Sequence, residues 1–367
     1  MANIFWVIFD TCQYTQYYQD VHNLLALPEG ATMRYDYKQD LMSDAAIKLA
    51  QEKTSHPILF VYAQKAGAYT RVGANSKRPD GILKTVFVAT RAGKMLSVTK
   101  DAKSYYFDFE VAGYPHQDRQ LLGGILNELE ENEETPWRKW VSVSTEIGNL
   151  TALLSGEEQD NWSAIVDLLG TPPMQFAGDA FWRIKALYAD SGARKFPMVE
   201  YYSDGDRSRQ ARSKFEMVEN ESWRVELLSE TAKGLTSSTA AEAPIGEYTV
   251  DATTTDAKIL TVSGTPVFDL RHYTGQMIEY RAESHPVFGK AIADLVLRTK
   301  PQSSQWPSGA NIVLRHQLRR NRVRLAFGTA TGIIGTVLFT IAGSKSFEAS
   351  AGATPMKIAG VLLELHP

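Results

Sequence analysis

Residues 311–343 constrain the fold most, because one interpretation makes them strands of a soluble protein and another places their last part, 325–343, in a lipid bilayer. The densest arginine cluster of the chain is followed there by its longest uncharged run, residues 325–343. A membrane-spanning helix needs about 20 mostly apolar residues, and a positively charged flank is typical of its cytoplasmic end. The length and the flank of this run therefore fit a membrane span.

The same stretch also has the periodicity of strands. Apolar residues recur at every second position on both sides of a short polar turn at Arg320 and Asn321. This pattern begins at Ile312, upstream of the uncharged run, and glycine and threonine occupy many positions within the run. Alternation around a polar turn predicts a β-hairpin with one buried face and one arginine-rich face. We favour the hairpin, because a membrane helix does not require alternation upstream of it.

The overall composition is that of a globular protein. The chain has 367 residues, of which 44% are hydrophobic and 22% are charged, and this length allows two or three domains. The net charge of −3 gives no global attraction to nucleic acid or acidic lipid, so such binding requires a local patch. Cys12 is the only cysteine, which excludes an internal disulfide framework and a cysteine-only zinc site. We therefore expect a cytoplasmic protein.

The predicted fold class is α+β and rich in strands. Many short strands with few helices predict a barrel-like N-terminal domain, and strands at roughly ten-residue spacing predict a C-terminal β-sandwich. A small and polar segment at 231–246 is the best candidate for a linker. The expected divisions are a barrel-like α+β domain at 1–145, a mixed middle segment at 146–232 and a β-sandwich domain at 247–367.

Within the first division, three local predictions bear on function. Strands at 82–89 and 95–99 are expected to flank a turn at 91–94, where glycine lies between basic residues. Ser43 is expected to cap the helix that follows it, because a serine hydroxyl accepts a hydrogen bond from a free helical N–H. An amphipathic helix is expected at 118–134.

Signatures of catalysis are weak. The chain has no H-E-x-x-H pair, no G-x-S-x-G elbow and no phosphate-binding loop, so we predict no cofactor and no local zinc site. Asp108 and Glu110 fall on one face of a predicted strand, and a metal-dependent hydrolase or nuclease can use such a pair. Cys12 is expected to have a packing role. An enzyme is therefore the third of three functional hypotheses.

Two basic stretches carry the favoured hypothesis, which is binding. Such stretches can neutralise the phosphates of a nucleic acid or an acidic protein surface, and binding is favoured if the fold brings both together. We predict a non-enzymatic recognition protein that docks a macromolecular partner or an acidic ligand within a larger assembly. The alternative is a membrane-attached effector with a span at 325–343. The candidate binding residues are Arg207, Arg209 and Arg212 in one stretch, and Arg315, Arg319, Arg320, Arg322 and Arg324 in the other.

Overall fold

The structure is a computed structural model in which three β-sheets are joined by short helices. It describes residues 5–10, 15–52, 55–65, 85–117, 141–144, 150–170, 176, 180–189, 194–195, 211–231, 249–263, 267–269, 276–283, 291–299 and 309–320. The four α-helices in these ranges are α1 (Thr15–Ala26), α2 (Asp44–Gln51), α3 (Leu150–Leu153) and α4 (Glu158–Gly170).

The first sheet has six strands in the order β2-β5-β4-β3-β1-β6. Its core is apolar and aromatic, and Trp6, Phe60 and Phe107 are buried on it. Ser43 caps α2 as predicted, because its hydroxyl accepts a hydrogen bond from the Ala46 N–H at 3.1 Å. The strands are β1 (Phe5–Asp10), β2 (Thr32–Lys38), β3 (Pro57–Lys65), β4 (Thr85–Lys100), β5 (Ser104–Val111) and β6 (Val141–Ser144).

The first sheet is open, so the prediction of a barrel-like N-terminal domain is not supported. A barrel closes only when its two outer strands pair, and among the described strands β2 pairs with β5 while β6 pairs with β1. β1 and β3 also pair in parallel, so the chain between them must form a crossover connection instead of a hairpin. The short strand patterns in the sequence predicted the high strand content correctly. They could not predict the crossover between β1 and β3.

The turn predicted at 91–94 is also wrong, because β4 runs without interruption through it. Its pairing with β3 moves from Arg91 opposite Phe60 to Ala89 opposite Val61, which leaves Thr90 as an extra residue. Such a β-bulge breaks the alternation of faces along a strand. The sequence consequently resembles two short strands around a turn. The Thr90 hydroxyl donates a hydrogen bond to the Phe60 carbonyl at 3.2 Å.

Two five-stranded sheets contain the rest of the described chain. The second has the order β12-β14-β10-β7-β8, and the third has the order β13-β11-β15-β16-β9. Their strands are β7 (Ala180–Ala189), β8 (Arg194–Lys195), β9 (Ala211–Val218), β10 (Ser222–Thr231), β11 (Thr249–Thr254), β12 (Leu260–Ser263), β13 (Val267–Asp269), β14 (Gln276–Ala282), β15 (Ile292–Thr299) and β16 (Asn311–Arg319).

The second and third sheets contact one another through buried rings. Trp223 on β10 packs edge-on against Phe215 on β9, with ring centroids 5.7 Å apart. Tyr280 on β14 and His316 on β16 share a hydrogen bond of 3.0 Å between the hydroxyl and Nε2. Because both residues are fully buried, the pair lies in the core between the two sheets.

The predicted domain boundaries remain predictions. Strands before and after the last boundary, which lies between 232 and 247, are nevertheless hydrogen-bonded to each other. β10 pairs with β14, and β9 pairs with β16, so both ladders join the predicted middle segment to the predicted C-terminal domain. Apart from Thr231, the predicted linker at 231–246 lies outside the described residues. The helix expected at 118–134 lies outside them too.

The choice between span and strand for 325–343 stays open, because this run also lies outside the described residues. Within the ranges that the structure describes, none of the helices has both the length and the apolar character needed to cross a membrane.

Candidate functional site

The strand that carries the first predicted arginines has one buried face and one polar face. On β16, Ile312, Leu314 and His316 are buried. Arg315 is partly exposed and Arg319 is exposed. This alternation confirms the strand that the sequence predicts, because successive side chains of a strand point to opposite faces.

Neighbouring strands occupy both edges of β16, and the second arm of the predicted hairpin, after residue 320, lies outside the described residues. β15 pairs with it antiparallel, and β9 pairs with it parallel from Ile312 to Arg319. The hairpin therefore stays a prediction, and the observed partners of β16 are strands distant in sequence. Alternation indicates a strand, but it does not identify the strand's partners.

Two of the predicted arginines form ion pairs within the third sheet. Arg315 donates two hydrogen bonds to Asp294 on β15, from Nε at 2.8 Å and from Nη2 at 3.1 Å. Arg319 forms an ion pair with Glu216 on β9. Arg320 directly follows the strand and is partly buried. Part of the positive charge of this face is thus compensated by acidic residues that the sequence analysis did not single out.

In the part of the chain that the structure describes, the end of the first basic stretch, at Arg212 and Lys214, lies beside β16. The parallel pairing places Arg212 opposite Val313 and Lys214 opposite Arg315. Residues directly opposite each other on neighbouring strands share a face of the sheet. Lys214 and Arg315 therefore hold adjacent positions on one face, although about a hundred residues separate them in the sequence. The other predicted residues, Arg207, Arg209, Arg322 and Arg324, lie outside the described residues.

The carboxylate pair considered for metal catalysis is arranged differently from a metal site. Asp108 is buried and accepts hydrogen bonds from Arg34 Nε at 2.6 Å, Arg34 Nη2 at 2.9 Å and Ser97 Oγ at 2.6 Å. Glu110 is exposed. Among the described residues, no group of three or more histidine, cysteine or carboxylate side chains could hold a metal ion. Cys12 is outside these residues.

Comparisons with protein-family models, with curated proteins and with solved structures found no match to this chain.

Asp294 and Glu216 were not predicted from the sequence, although each had a usable signal. Asp294 interrupts the apolar run of β15, and Glu216 lies between the buried Phe215 and Met217. An acidic residue on the outward position of a strand is a candidate partner for an arginine on the next strand. Arg91 and Arg183, which are buried charged residues, were not predicted as site residues either. A single arginine inside an apolar strand pattern was the only signal for them.

Proposed function

We propose that this chain is a non-enzymatic recognition protein that docks an acidic partner on the polar face of the third sheet. The observation that supports the proposal is the register of β9 and β16, which puts Arg212 and Lys214 beside the strand of Arg315 and Arg319. A sheet face with several basic positions attracts acidic groups, so an acidic partner suits this face. We also propose that the protein is cytoplasmic and that it acts as part of a larger assembly.

The exposure of its ion pair favours a role in recognition for Arg319 over a purely structural role. The side chain of Arg319 is 60% exposed and that of Glu216 is 34% exposed. Exposed pairs contribute only about 0–1 kcal/mol to stability. Arg319 can therefore exchange Glu216 for an acidic group of a partner at little cost in folding free energy. Arg315 is held more firmly, because two hydrogen bonds fix its guanidinium on Asp294.

We also propose that the second and third sheets together form the β-sandwich expected from the sequence. The ring contacts of Trp223 with Phe215 and the buried bond of Tyr280 to His316 support this arrangement. In a sandwich, the inner faces form the core and the outer faces carry polar residues. That architecture gives the basic face a rigid support.

The test measures binding of a fluorescent polyglutamate and of a single-stranded oligonucleotide across a salt series. If the face binds acidic partners, affinity should fall steeply as salt rises. Binding releases counterions from the charged groups, and added salt opposes that release. Arg319→Ser should weaken binding and Glu216→Gln should strengthen it, each by roughly threefold to tenfold. Lys185→Ser is the matched control, because Lys185 is an exposed cation of similar pairing on the second sheet. Equal losses for the Arg319 and Lys185 variants would refute the proposed location.

A further inference from the structure

Four buried hydrogen-bond donors without partners are gathered around the ring of Tyr114. They are Nη1 and Nη2 of Arg91, Nε of Arg183 and Nε1 of Trp162. Arg91 lies on β4, Arg183 on β7 and Trp162 on α4, so elements from two sheets and a helix supply them. All four atoms donate and none accepts.

Distances to the aromatic rings place these donors in one cluster. The Cζ atom of Arg91 lies 3.7 Å from the centre of the Tyr114 ring. The Cζ atom of Arg183 lies 5.3 Å from the same ring and 5.3 Å from that of Trp162. Both guanidinium groups therefore contact the negative face of an aromatic ring, which attracts cations but accepts no conventional hydrogen bond.

The bulge at Thr90 creates this position for Arg91. Phe60 and Tyr62 share one face of β3, and their partners across the ladder are Arg91 and Val88. In a regular strand, residues 88 and 91 point to opposite faces, because side chains alternate. The extra residue brings Arg91 to the face of Val88, where α1 and α4 pack. There the Arg91 Nε donates to the Ala112 carbonyl at 2.9 Å.

The local carboxylates leave Arg91 without a direct counter-charge. Glu158 accepts a hydrogen bond from Arg183 Nη1 at 2.5 Å, and its side chain is 47% exposed. Glu230 accepts from Ser163 Oγ at 2.5 Å and from Gln159 Nε2 at 3.3 Å. In the described part of the chain, no carboxylate forms an ion pair with Arg91.

Such an arrangement is costly unless something completes it. A buried donor without an acceptor costs about 1–3 kcal/mol, and more when the group is charged. Burial also lowers the pKa of Arg91, which shows that its surroundings disfavour the cation, although Tyr114 and Glu158 oppose the shift. Clustered unsatisfied donors in a native protein call for an explanation, and an ion is one of the few available.

We propose that Arg91, Arg183 and Trp162 bind a phosphate group, and that Glu158 is the internal competitor that the phosphate displaces. A phosphate dianion balances two guanidinium charges and offers four oxygens to the four donors, whereas a carboxylate offers two oxygens and one charge. Glu158 lies in the first turn of α4, where the helix dipole also favours an anion. Because Glu158 is half-exposed, its rotation opens the route from solvent to Arg183 and then to Arg91.

This site is separate from the basic face of the third sheet. Its arginines lie on β4 and β7, which belong to the first and second sheets. The phosphate site can therefore fail while the docking proposal holds, and the reverse is also true.

The experiment uses the full chain and inorganic phosphate, with sodium chloride and sodium acetate at matched ionic strength as the comparison salts. Thermal unfolding and isothermal titration calorimetry measure the interaction. Phosphate should raise the unfolding temperature in a saturable way, because a ligand that binds only the folded state stabilises it. Equal effects of the three salts, or no saturation with phosphate, would overturn the proposal.

Three variants place the binding at this cluster. Glu158→Gln should tighten phosphate binding by about tenfold, because the competing charge is gone. Glu226→Gln is the matched control, since Glu226 pairs with Lys185 and not with a guanidinium of the cluster, and it should leave affinity unchanged. Arg91→Met should weaken binding at least tenfold. Trp162→Phe keeps the ring but removes one donor, so it should weaken binding if the methionine variant does not fold. Phosphate binding that is equally tight in Arg91→Met, or in Trp162→Phe, would refute the site.

Discussion

The imidazole of His316 should make the stability of the sandwich depend on pH. His316 is fully buried between Tyr280, Phe215 and Trp223, with its ring stacked on Phe215 at a centroid distance of 5.4 Å. Burial lowers the pKa of His316 from 6.5 to about 3, and the nearby Asp294 carboxylate offsets only part of that effect. Burial also raises the pKa of Tyr280, so its hydroxyl stays protonated beside the neutral histidine, with which it shares a hydrogen bond at Nε2.

The sign and size of the effect follow from proton linkage. Between the two pKa values, the unfolded chain holds a proton on His316 that the folded chain lacks, so stability falls as pH falls. The contribution is fully present above about pH 6.5, declines below it and is lost by about pH 3, for a total of about 5 kcal/mol. Between about pH 7.5 and about pH 5, the expected loss is about 2 kcal/mol.

Urea unfolding at these two pH values, monitored by tryptophan fluorescence, measures the loss. Other groups titrate over the same range, so the informative quantity is the difference between the wild type and His316→Gln, which cannot gain a charge. The glutamine variant should lose about 2 kcal/mol less than the wild type. Tyr280→Phe removes the hydroxyl but leaves the imidazole buried, so it should lower stability at both pH values and keep the pH dependence. Equal pH dependence in the wild type and His316→Gln would refute the reasoning.

Three further changes test other parts of the structure. Gly309→Ala should destabilise the protein by about 3 kcal/mol in urea unfolding, because Gly309 has a φ of +94° and an added Cβ would lie 2.3 Å from Thr299 Oγ1. Asp108→Asn should cost about 2 kcal/mol by the same assay, because the charged bonds from Arg34 are weakened. Deletion of 325–367 distinguishes the two interpretations of the uncharged run: a strand predicts that the remainder aggregates, whereas a span predicts that it becomes soluble after leaving the membrane fraction in a carbonate extraction.

The sequence by itself determined the local features of this protein. Alternation over 312–318 identified β16 and its buried face, because a side-chain period of two has no other simple explanation. Ser43 identified the start of α2, because a cap bonds an N–H only three residues away. Both features depend on neighbours in sequence, so no knowledge of the fold was needed to predict them.

Only the tertiary structure decided which strands pair and where charges meet. β9 and β16 lie about a hundred residues apart, and nothing local to either strand encodes their parallel register. The ion pair of Arg315 with Asp294 depends on that same long-range pairing. The cluster around Tyr114 depends on the bulge at Thr90, which reverses the face expected for Arg91 and hides it from any periodic pattern. Long-range contacts and interruptions of the strand period depend on the whole chain, so local patterns in a single sequence do not reveal them.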